Sequence, residues 1–145
     1  MPPAPHIFAP LRAIALATAL SAAPAAAQEA PALHLELNDL SEVPGGCQIS
    51  FLAANATGAD LDAVVFEAVL IDGQGRVDRL TLFDFGALPA ERPRVRQFVL
   101  PDIACADLGR ILINGAHRCE TGGAASPACG AALRPTTRTG VELAG

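Results

Sequence analysis

The side chains with the most chemistry to offer in this sequence are four cysteines, two histidines beyond the first thirty residues, and a run of alternating arginines. Cys47, Cys105, Cys119 and Cys129 are separated by 58, 14 and 10 positions. Structural zinc sites bring cysteines in pairs two to four residues apart, and a dithiol redox centre needs C-x-x-C. Neither spacing occurs, so an even number of cysteines in an exported chain points to disulfides. His34 and His117 would need methionines or acids beside them to carry copper or zinc, and the only methionine is Met1. Ser41, Ser50 and Ser126 stand outside any G-x-S-x-G context, which removes the simplest acyl-transfer arrangement. Asp60 and Asp62, close to Gly58, read as a solvated turn rather than an acid–base pair. DGQGRVD, residues 72 to 78, spaces Asp72, Gln74, Arg76 and Asp78 like calcium ligands. However, Arg76 puts a cation in a ligand slot and no bidentate Glu follows, so the stretch reads as a turn. No catalytic residue, cofactor or metal is therefore expected, and the chain reads as a non-enzyme.

Arg92, Arg94 and Arg96 are the charges with most potential. Spacing by two puts side chains on one face of a strand. In an acidic chain such a stripe could grip carboxylates with bidentate geometry. It could equally protect a sheet edge against pairing with other chains. These three residues are the candidate partner-binding set.

The elements that must position these groups are strands. In VVFEAVLI, residues 64 to 71, Val64, Phe66, Ala68 and Leu70 fall on one face and Val65, Glu67, Val69 and Ile71 on the other. After DGQG, Leu80 and Leu82 alternate with Thr81 and Phe83, completing a hairpin. LHLELNDL (33–40), CQISFLAAN (47–55), RVRQFVLP (94–101), GRILING (109–115) and RPTTRTGVEL (134–143) read as further strands, with PGG as a turn before the second. No segment after the leader sustains a helical apolar stripe. Seven short strands predict an all-β fold: a single immunoglobulin-like antiparallel β-sandwich over residues 28–145.

Residues 1–27 read as a secretory signal peptide, with Arg12, then AIALATAL, then the small-residue end AAA before Gln28. A membrane span needs roughly 20 apolar residues, and this run is short and broken by Ser21 and Pro24. Gln28 in place of Cys argues against a lipid anchor, and no arginine pair marks the twin-arginine route. Beyond the leader, nine arginines and no lysine face fifteen acids. A field of that sign disfavours nucleic acid and anionic membrane as partners. The absence of Trp and Tyr removes the exposed rings that sugar and single-strand nucleic-acid platforms use.

FLAANATGADLDAVVFEAVLIDGQGRV, with the later FGALPAERPRVRQFVLP, resembles small exported bacterial immunoglobulin-like modules of the CARDB and FxLYD type. The whole chain is similar to small exported alphaproteobacterial proteins. The likeness covers roughly residues 43 to 115 and consists of turn and core positions. It implies Asn55 as a turn residue, Gly75 at the hairpin, Leu88 and Pro89 in a long loop and Phe98 facing the core. It also implies a binding or scaffolding role for an unknown protein or envelope component, in the periplasm or after secretion. The alternatives are a small enzyme with a loop-assembled site and a metal-handling protein using His34 and His117. Four cysteines allow three pairings. In an immunoglobulin-like strand order Cys47 and Cys105 lie at one end of the sandwich and Cys119 and Cys129 at the other, which ranks those two pairs first.

The leader reading makes one direct prediction. N-terminal sequencing of the exported protein should begin at Gln28; an intact Met1 on membrane-retained protein would make the segment an anchor.

Overall fold

Alternation in the sequence becomes alternation in burial. In β1 (Ala32–Val43), Leu33, Leu35 and Leu37 are buried while His34 is exposed. β1 turns through Pro44 and Gly45 into β2 (Gly46–Ala56). Gly45 has φ +85°, which a side chain resists, and Pro44 before it suits the first central position of a type II turn. A Cβ on Gly46 would collide with the carbonyl oxygen of Leu100, so this close crossing also requires glycine. β3 (Leu61–Asp72) and β4 (Val77–Leu88) form the expected hairpin, with Gly75 at φ +82°. β5 (Arg94–Pro101), β6 (Leu108–Thr121), β7 (Ala124–Ala125), one turn of helix α1 (Ala128–Ala131), β8 (Leu133–Thr137) and β9 (Glu142–Ala144) complete the chain. This computed structural model describes residues 1–3 and 29–145. Apart from residues 1–3, the expected signal peptide lies outside the described residues.

The strands form two sheets, ordered β5-β2-β1-β8 and β4-β3-β6-β7, with β9 also paired to β6. Leu35, Leu37, Ile49 and Phe51 of the first sheet meet Phe66, Leu70, Phe83, Phe85 and Ile111 of the second in one core. Phe51 sits with its ring centroid 5.5 Å from both Phe83 and Phe85, and Phe85 is edge-on to Phe66 at 5.8 Å. Tilted and edge-to-face pairs of this kind contribute about 0.5–1.5 kcal/mol each beyond the area they bury.

The all-β sandwich is as expected, with two corrections at the end of the chain. The ladders are not all antiparallel: β8 runs parallel to β1 and β9 parallel to β6. The last strand is also not continuous. After Thr137 the chain reverses in a hydroxyl-rich turn: Thr137 Oγ1 donates to the Val141 carbonyl, and the Thr139 N–H donates to Thr137 Oγ1. β8 therefore belongs to one sheet and β9 to the other. A period-two reading cannot see this, because threonines fit both a strand and a local turn.

One end of the sandwich is plugged by Asn55, which is 2% exposed. Its Nδ2 donates to the carbonyls of Ala59 and Leu88, and its Oδ1 accepts from the N–H and hydroxyl of Thr57. The amide is wholly committed, and it ties the end of β2 to the bend that follows it and to the end of β4.

The disulfides are Cys47–Cys105 at one end and Cys119–Cys129 at the other, with Cα separations of 4.9 and 6.0 Å. They close loops of 58 and 10 residues. In the chain-entropy account such loops contribute about 4 and about 2.7 kcal/mol respectively. Thermal melts of paired Cys→Ser variants should therefore fall by roughly 15 °C for Cys47/Cys105 and roughly 10 °C for Cys119/Cys129. Equal or reversed losses would show that native packing around the bridges, rather than loop length, sets their effect.

Candidate functional site

β4 and β5 are edge strands on the same side of the sandwich, one from each sheet. Their free edges face each other across a seam. Along β5 the side chains of Arg94, Arg96, Phe98 and Leu100 turn inward toward this seam, while Val95, Gln97 and Val99 point out. Arg96 straps the seam: its Nε donates to the Phe85 carbonyl at 2.7 Å, and its Nη2 donates to the Ala87 carbonyl at 3.2 Å. Its Nη1 also donates to the Val95 carbonyl on its own strand. At the other end Arg79 of β4 donates to the Pro101 carbonyl at 3.0 Å. Between the straps lies a groove of about 430 Å³, lined by Thr81, Phe83, Gln97, Phe98 and Leu100 among others. Phe98 forms its floor, half-buried, with its ring 4.8 Å from that of Phe83.

This margin carries the apolar surface of the molecule. Among the described residues other than Met1, every large apolar side chain that is exposed lies on β4 or β5: Val77 at 62%, Leu80 at 59%, Leu82 at 49%, Val95 at 60% and Val99 at 52%. Leu80 and Leu82 stand on the outer face of β4 and Val95 and Val99 on that of β5, so the apolar residues flank the seam from its two sides.

The charges are distributed in the same direction. Arg76, Arg79, Arg110, Arg118 and Arg138 each pair with a carboxylate. Among the described residues, Arg92, Arg94, Arg96 and Arg134 make no such pair, and the first three are the arginines picked out by their spacing. They do not form one continuous strand face. β5 begins at Arg94, and Arg92 lies in the coil before Pro93. Proline has no N–H to give a ladder and disfavours regular continuation through it. Arg94 folds back to donate to the Pro93 carbonyl, whereas Arg96 is committed to the seam. Thus Arg96 is the strap, and Arg92 and Arg94, at the start of the seam, are the cations with no bond across it.

The remaining candidate groups are held apart or used structurally. His34 lies exposed on the first sheet and His117 exposed on β6 of the second. The Asp72 carboxylate is surrounded by donors of its own turn: the N–H groups of Arg76 and Gln74 and the Arg76 guanidinium. The Arg76 N–H foremost holds its pKa below the usual carboxylate range. Ser41 donates to Asp39, Ser50 accepts from Gln97, and Ser126 accepts from the Ala128 N–H. Asp60 and Asp62 are more than a solvated turn: Asp60 accepts the Ala90 N–H and Asp62 the Gly123 N–H, each tying down a distant loop. Glu42 does the same for the N–H of Cys105. These latches, and the Arg79 strap, went unseen in the sequence because their partners lie 22 to 63 residues away.

Comparison with family models, with curated proteins and with solved structures finds no match to this chain. Two disulfides fit a non-reducing, extracytoplasmic setting. No helix among the described residues is long and apolar enough to cross a membrane.

The division of labour among the arginines is testable by urea unfolding. Arg96→Ser, which strips the Phe85 and Ala87 carbonyls of their donor, should cost about 1–2 kcal/mol. Arg92→Ser and Arg94→Ser should each stay within about 0.5 kcal/mol of wild type. A large loss at Arg94 would give that residue a structural role as well.

Proposed function

We propose that the domain is a non-catalytic binding or scaffolding module for a protein or envelope component, acting in the periplasm or after secretion, with the β4–β5 margin as its contact surface. The observation that carries this reading is the gathering of Val77, Leu80, Leu82, Val95 and Val99 on that one margin. Solvated apolar side chains on both flanks of the seam cost free energy that a partner recovers by covering them. Three of the four described arginines without a carboxylate partner, Arg92, Arg94 and Arg96, lie at this margin, and Arg134 lies on the opposite edge strand β8. The three at the margin would add orientation and association rate more than bulk affinity.

The partition of strands supports an immunoglobulin-like type of sandwich. β1, β2 and β5 share one sheet and β3, β4 and β6 the other. That is the grouping of strands A, B and E against C, C′ and F in such domains. The parallel terminal strands are a departure from it.

Photo-crosslinking in the native compartment tests the surface. A crosslinking residue at Leu82, Val95 or Val99 should yield a discrete adduct, and one at Thr136, exposed on the opposite edge strand β8, should not. No adduct at the three margin positions, or equal adducts at Thr136, would remove the margin as the binding surface.

A further inference from the structure

The free edge of β5 has a defined length. The carbonyls of Val95 and Pro101 both accept from arginines at the seam. In a regular strand the N–H and C=O of one residue point to the same side and those of the next to the other. Odd-numbered residues of β5 therefore direct their backbone groups to the free edge, and even-numbered ones to β2. Pro93 and Pro101, both odd, have no N–H to offer there. Between them stands a short window formed by the backbone of Val95, Gln97 and Val99.

The side chains around this window alternate in chemistry. Arg94 and Arg96 lie on one face, Val95 and Val99 on the other, and Arg92 stands just before the strand. A strand added beside β5 would place its side chains about 4.5–5.5 Å from those directly opposite. Acids opposite Arg94 and apolar residues opposite Val95 and Val99 would match both faces at once.

We infer that β5 accepts an extended acidic peptide as an added edge strand, its main chain pairing with Val95, Gln97 and Val99 and its carboxylates meeting Arg92 and Arg94. The inference rests on the margin being the binding surface and specifies what binds there. Charge complementarity selects an acidic occupant: in a chain with fifteen acids, these cations have no carboxylate of their own among the described residues. Main-chain pairing supplies affinity in this mode of recognition, and alternating side chains supply specificity.

The test uses the disulfide-bonded domain and five blocked heptapeptides: one alternating Glu and Val, its Gln/Val and Lys/Val counterparts, and two forms of the Glu/Val peptide N-methylated on alternate residues, one along each edge. The Glu/Val peptide should shift and protect the amides of Val95, Gln97 and Val99 in NMR and exchange measurements, and bind less tightly as salt rises. The Gln/Val peptide and the double variant Arg92→Ser/Arg94→Ser should each weaken binding roughly tenfold. N-methylation of one edge should abolish it. The charge-swapped variant Arg92→Glu/Arg94→Glu should instead take a Lys/Val peptide. Absence of any response at β5, or equal binding of the Gln/Val peptide, would overturn the acidic specificity. Equal binding of both N-methylated forms would overturn strand addition. Crosslinks at Leu82, Val95 and Val99 without peptide binding would sink this inference alone, whereas absence of both would sink the binding surface with it.

Discussion

Two sheets, each apolar on one face, can be stacked only if both long margins of the stack are closed against water. Most of what is particular to this molecule follows from how those margins are closed. On one side the chain does it by covalent continuity: it leaves the first sheet at Thr137 and enters the second at Glu142, so the turn between β8 and β9 bridges the layers. On the other side the chain crosses only at one end, through residues 89–93 between β4 and β5. The rest of that closure is made by side chains, with the Arg96 and Arg79 straps at the two ends and Phe98 between them.

The two solutions leave different surfaces. A margin closed by chain has its backbone groups spent on turn and ladder. A margin closed by arginines keeps two strand edges close to solvent. Edge strands invite pairing with other chains and are usually blunted by charge, proline or shortness. β5 has all three: arginines, Pro93 and Pro101 at its limits, and only eight residues. The same devices that discourage indiscriminate pairing also restrict where, and with what charge, a partner strand could sit. Protection and selectivity are thus two consequences of one arrangement.

The ends of the sandwich are secured separately from its margins. At one end Cys47–Cys105 and Glu42 fix the approach to β6; at the other Cys119–Cys129, Asn55, Asp60 and Asp62 hold the connecting loops. Asn55 donates to the buried Leu88 carbonyl, where an unmade hydrogen bond costs about 1–3 kcal/mol, while the three carboxylates accept exposed backbone N–H groups and tie down loops at the surface. Polar residues in these loops therefore act as fasteners, which accounts for a small domain holding long connections such as residues 122–132 in place.

Taken alone, the sequence determined the all-β class, the strands near 33–40, 47–55, 64–71 and 94–101, and the glycine-bearing hairpin at 72–77. These depend on period-two alternation and on turn residues with positive φ, both local properties of the chain. The strand order expected of a sandwich also ranked the disulfide pairs correctly. Only the tertiary structure decided that Arg96 is a strap while Arg94 and Arg92 make no bond across the seam, that Arg79 has a counterpart role, that Asp60 and Asp62 are loop latches, and that the last strand divides between sheets. Those outcomes are set by which backbone groups lie within hydrogen-bond reach across tens of residues. Such pairing is a property of how the layers stack, and it leaves no periodic signature in the residues that make it.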